Sequence, residues 1–86
     1  MNTSVEKIPT ARFADGKIYV EFSNGVDFSF PVAGNERLEG GTPEQLNNIE
    51  VDGEGLHWPD LNEDLSFEGL MHGEYGQYVH RMKTVA

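Results

Sequence analysis

The sequence predicts a small α+β domain: an antiparallel three-stranded meander, then a second hairpin, packed with two short helices. Three observations predict it. Apolar residues recur at every second position through residues 11–32, the turn dipeptides Asp15-Gly16 and Asn24-Gly25 interrupt that run, and helix-start signals follow at Thr42 and Ser66. A chain of 86 residues has room for one domain and buries only about 60–70% of its extended surface on folding. The core is therefore thin, and residues 10–73 are expected to supply all of it.

Residues 1–9 open the chain with polar, aperiodic sequence and are expected to be a flexible N-terminus. Alternation then begins, with Ala11 and Phe13, Ile18, Val20 and Phe22, and Val26, Phe28, Phe30 and Val32 as the apolar sets of three strands. Directly opposed residues of an antiparallel pair share a face, so the turns can be tested against the pattern. A two-residue Asp15-Gly16 loop pairs Ala14 with Lys17, Phe13 with Ile18 and Ala11 with Val20, and Asp-Gly suits a type I′ turn. A two-residue Asn24-Gly25 loop would set Phe22 against Asp27. The three-residue loop Ser23-Asn24-Gly25 instead pairs Phe22 with Val26, Val20 with Phe28 and Ile18 with Phe30, with Gly25 left-handed in a G1 bulge. Pro31 has no amide hydrogen and places the third strand at an edge or at its end.

Ala33 to Gly41 reads as a loop. Thr42 then caps a short helix with Pro43 at its first position, Gln45 in the capping-box position and Leu46 as its anchor, closed by Asn47 and Asn48. A four-residue loop Asp52-Gly-Glu-Gly55 joins a second hairpin, pairing Val51 with Leu56, Ile49 with Trp58 and Glu50 with His57. Pro59 ends that strand. After a polar turn, Ser66 caps a helix bearing Phe67, Leu70 and Met71 that stops at Gly73. Residues 74–86 have a weak helical spacing broken by Gly76 and are expected to form a C-terminal tail.

Fifteen acids against six bases give a formal charge of -9. The bases Lys7, Arg12, Lys17, Arg37, Arg81 and Lys83 are scattered, whereas phosphate binding needs them clustered, so direct binding to nucleic acid or to an anionic membrane is not expected. There is no cysteine, which excludes disulfides and thiolate metal sites. No apolar run approaches the roughly 20 residues of a membrane span, and the first ten residues lack a basic start and an apolar signal core. The expected location is the cytoplasm.

Asp60, Asn62 and Asp64 stand where the first three oxygen ligands of a calcium loop would, but Leu65 occupies the glycine position and Met71 that of the bidentate glutamate. The three are better read as turn formers that place negative charge ahead of a helix. His57, His72 and His80 are spaced unlike any compact metal motif, and His57 has a local use opposite Glu50. No nucleophile elbow, phosphate loop or dinucleotide fingerprint is present, so no catalytic residue and no cofactor are expected. The outer face of the first sheet sets Arg12 opposite Tyr19, with Glu21, Asp27 and Ser29 nearby, above the edge at Pro31. Arg12, Tyr19, His57, Asp60 and Asp64 are the candidates for contact with a partner.

Thr42-Pro-Glu-Gln-Leu46, the run Gly55-Leu-His-Trp-Pro-Asp-Leu-Asn-Glu-Asp-Leu-Ser-Phe-Glu-Gly-Leu70 and Gly73 together resemble the bacterial family known as domain of unknown function 2442. The likeness reaches back through the Phe22 to Phe30 hairpin and spans residues 10 to 73. Asn62 stands where members usually carry Asp. The resemblance implies a small, usually free-standing α+β fold, encoded in many genomes beside another small protein in a toxin–antitoxin-like pair. Some members add a C-terminal helix-turn-helix; only about a dozen residues follow Gly73 here, too few for its two helices. The expected function is thus a non-enzymatic protein-interaction module with a basic protein as partner. A DNA-linked regulator acting through a partner and a metal-dependent hydrolase using Asp60, Asp64 or His57 are the alternatives.

Overall fold

The computed structural model describes residues 8–77. The expectations for residues 1–7 and 78–86, His80 among them, lie outside the described residues. Strands β1 (Thr10–Ala14), β2 (Lys17–Glu21) and β3 (Asp27–Pro31) form one antiparallel sheet in the order β1-β2-β3. Helices α1 (Glu36–Glu39) and α2 (Pro43–Asn47) lead into a second antiparallel sheet of β4 (Glu50–Val51), β5 (Gly55–Trp58) and β6 (Glu63–Ser66), and α3 (Phe67–Met71) follows. No helix among the described residues is long and apolar enough to cross a membrane.

The first sheet has the register that alternation predicts. Phe13 faces Ile18 and Ala11 faces Val20, while Val20 faces Phe28 and Ile18 faces Phe30. Asp15 and Gly16 both take positive φ (53° and 77°), as a type I′ turn requires. At the other turn Gly25 has φ 93°, and the Phe22 N–H donates to the Val26 carbonyl at 2.9 Å. Ladder bonds alternate along an antiparallel pair. With Phe22 bonded to Val26, and Val32 donating to the Gly16 carbonyl at 3.1 Å, the main chains of Phe28 and Phe30 bond to β2. Those of Asp27, Ser29 and Pro31 point away from it. Pro31 therefore forfeits no ladder bond, which is why an edge strand tolerates it.

The inner faces of both sheets meet in one cluster of Ile18, Val20, Phe30, Leu38, Leu46, Leu56, Trp58 and Leu65. Trp58 is fully buried, and its indole N–H donates to the Leu46 carbonyl at 3.1 Å. The ring thus fills the core and also satisfies the end of α2. Full burial of each aliphatic or aromatic side chain of this kind is worth about 1.5–3 kcal/mol.

Two elements depart from the sequence-based expectation. The stretch Ala33 to Gly41 is not all loop: Asn35 caps α1, one turn long, and delivers Leu38 to the core fully buried. The polar stretch after Pro59 is only partly a turn, because Glu63–Ser66 adds a third strand to the second hairpin with Leu56 opposite Leu65 and Trp58 opposite Glu63. The hairpin itself has the expected register, Val51 with Leu56 and Glu50 with His57. In α3, Phe67 and Leu70 pack against the core while Met71 stays 63% exposed. Beyond Gly73 the chain returns to the first sheet, where the Tyr75 ring lies 5.9 Å from that of Phe30 and Gln77 bridges to Asn35.

Candidate functional site

The residues that sequence reasoning singles out lie in three places. Arg12 and Tyr19 are cross-strand neighbours on the outer face of the first sheet. The guanidinium carbon sits 4.6 Å from the centre of the Tyr19 ring, a cation–π contact. One row along, Glu21 and Asp27 face each other directly, both exposed. Like charges so placed repel.

His57 and Asp64 lie on the outer face of the second sheet. The expected local partner of His57, Glu50, is its neighbour in the register, yet the contact forms on the other side: His57 Nδ1 lies 2.6 Å from Asp64 Oδ1. β5 is the central strand, so His57 is flanked by both acids, and the strand carrying Asp64 is the one that alternation did not disclose. The contact orients the imidazole through Nδ1, the arrangement of a general base with its orienting carboxylate. His57 is 38% and Asp64 79% exposed, so water reaches both groups. Glu50, Asp52 and Glu54 extend this into an acidic face.

Asp60, Asn62 and Asp64 do not converge. Asp60 accepts from the Asn48 side-chain amide at 3.0 Å. Asn62 takes φ 56° in the β5–β6 turn, and its carbonyl accepts from Arg37 Nη1 at 3.0 Å. Asp64 is engaged with His57. Among the described residues no three His, Asp or Glu side chains gather as a metal ion would require. His72 caps the C-terminus of α3, as its position beside Gly73 suggests.

Sequence reasoning missed Asn35, which is 99% buried, its exposure being 1%. Its Oδ1 accepts from the N–H groups of Arg37 and Leu38, both at 3.0 Å. Its Nδ2 donates to Glu63 Oε2 at 2.9 Å and to the Tyr75 carbonyl at 2.8 Å. One amide thus ties α1, β6 and the segment after α3 together. The available signal was an Asn followed by Glu36, a helix start. A second side-chain amide closes a sheet edge: Asn47 Oδ1 accepts from the Phe13 N–H at 2.9 Å and its Nδ2 donates to the Phe13 carbonyl at 3.4 Å.

Two three-stranded meanders sharing one core, with charged outer faces and three short helices, define a small α+β domain whose surface is made of sheet faces and sheet edges. The chain belongs to the family described as "Protein of unknown function (DUF2442)", whose match covers residues 8–76. The match runs past Gly73 and takes in Tyr75, the residue that returns to Phe30. The chain is also similar to a protein of unknown function from Rhodospirillum rubrum ATCC 11170, known from a crystal structure. The two are 37% identical over 83% of this chain and 94% of that one, with a TM-score of 0.68. No curated protein matches.

Proposed function

We propose that this chain is a non-enzymatic protein-interaction module that binds a basic protein as one component of a toxin–antitoxin-like pair. The supporting observation is where the acids lie. In a chain of formal charge -9, Glu21, Asp27, Glu50, Asp52, Glu54, Asp60 and Asp64 are all exposed, spread over the outer faces of both sheets and their turns. Such a surface accelerates encounter with a cationic partner and disfavours self-association. A bacterial, cytoplasmic setting belongs to the same proposal and is checked by fractionating the native host. Affinity capture of the tagged full chain from that host, at low and at moderate salt, tests the function. A stoichiometric protein released by salt is expected; recovery of none at either salt removes the proposal.

The His57–Asp64 pair favours a second reading, hydrolysis with His57 as general base; its metal-dependent form would draw on Asp60 and Asp64, which do not converge. Calorimetric titration with calcium, magnesium, zinc and manganese checks its metal branch, and heats no larger than dilution reject it.

A further inference from the structure

The geometry points to the outer edge of β3 as the place where a partner adds a strand, and to an amphipathic segment with one apolar face and a basic residue on the other as the chain it takes. This deepens the proposed interaction function and rests on it. Several observations converge on this edge. The backbone groups of Asp27, Ser29 and Pro31 point away from β2, and β3 ends the sheet. Among the described residues no strand covers it, whereas on the opposite edge the Asn47 amide occupies the Phe13 main chain.

Directly beneath the open edge runs a row of rings. Phe67 and Phe22 are 5.6 Å apart, Phe22 and Phe28 5.9 Å, Phe28 and Phe30 6.4 Å, and Phe30 and Tyr75 5.9 Å. Leu70 and the exposed Met71 line a groove together with Phe28, Phe30 and Tyr75 of that row. A strand paired to β3 directs every second side chain into this groove. Its other side chains join the outer face, where the nearest charge is Asp27, set against Glu21 with no cation bonded to either among the described residues. A Lys or Arg at that row relieves the repulsion. Arg12 is engaged with Tyr19, and Lys17 lies at the opposite end of the face, across from Pro31, so the basic residue is called for at the Asp27 end alone.

The test uses the full chain and two short peptides, one alternating valine with lysine and one alternating valine with glutamate, followed by NMR amide exchange. Slowed exchange at Asp27 and Ser29 with the lysine peptide, and much weaker protection with the glutamate peptide, is the expected result. Asp27→Lys, which removes the Glu21–Asp27 repulsion and so spares the fold, is expected to invert that preference. Ser29→Pro deletes an outward N–H without touching the ladder and is expected to abolish protection at Asp27, the reporting amide that remains. Unchanged exchange at both amides, or protection only around His57, overturns the inference. So does protection already present without peptide, which would mean that the edge is covered by this chain or by a second copy. Capture of a host partner that Ser29→Pro retains in full sinks the edge but leaves the interaction function standing; failure of capture by the wild-type chain sinks the function whatever the peptides do.

Discussion

Asn35 uses its entire hydrogen-bonding capacity, two donors and two acceptor sites, inside the protein. Truncating it removes a helix cap and takes a donor from Glu63 Oε2 and from the Tyr75 carbonyl, both part-buried contacts. Asn35→Ala is expected to cost about 2–4 kcal/mol, the sum of a lost cap and unsatisfied buried partners, read from urea unfolding. Asn35→Asp is the sharper variant: it keeps the acceptor that caps α1 but turns a carboxylate toward Glu63, so it too should lose stability, and wild-type stability would show that the Glu63 bond is unimportant. Trp58→Phe removes the donor to the Leu46 carbonyl and leaves a void where the larger ring was; about 1–3 kcal/mol of destabilisation is expected. Retention of the full unfolding midpoint would contradict the central place given to the indole.

Among the elements, the first meander was legible because its inward residues are all apolar and its two turns demand particular backbone conformations. α1 and β6 were not, and for one shared reason. β6 turns Glu63 and Leu65 inward, opposite Trp58 and Leu56, so an acid sits where alternation looks for an apolar residue. α1 offers Leu38 as its single buried residue, too little for any period. The Asn35–Glu63 bond joins the two, a polar contact between distant residues that hydropathy patterns cannot register. His57 followed from the same gap, since its true partner lies on the unseen strand. The glycine at the head of β5 shows how tightly that strand is seated: a Cβ on Gly55 would lie 2.3 Å from the Leu65 carbonyl oxygen and 2.9 Å from the Ser66 Cα. Both are main-chain atoms that cannot swing aside. Gly55→Ala is therefore expected to loosen β6 selectively, seen as faster amide exchange at Leu65 and Phe67 with the first sheet little changed. Equal acceleration in both sheets would mean that the domain opens only as a unit.

At the scale of the molecule, a formal charge of -9 in 86 residues makes the folded state repel itself, and salt screens that repulsion over a Debye length of about 10 Å at 0.1 M. The midpoint of thermal unfolding is expected to rise as sodium chloride is added from low ionic strength, more than in an osmotically matched sucrose control. A flat response would show that the surface acids are balanced locally. The fold was accessible from composition and period, and so was the β3 edge, which Pro31 marks; the closing of the opposite edge was not, because the Asn47 amide reaches the Phe13 main chain across 34 residues. That asymmetry bears on stoichiometry. With the β1 border held by Asn47, the first sheet leaves one border, that of β3, uncovered by any strand among the described residues, so a strand-adding guest would meet this sheet once.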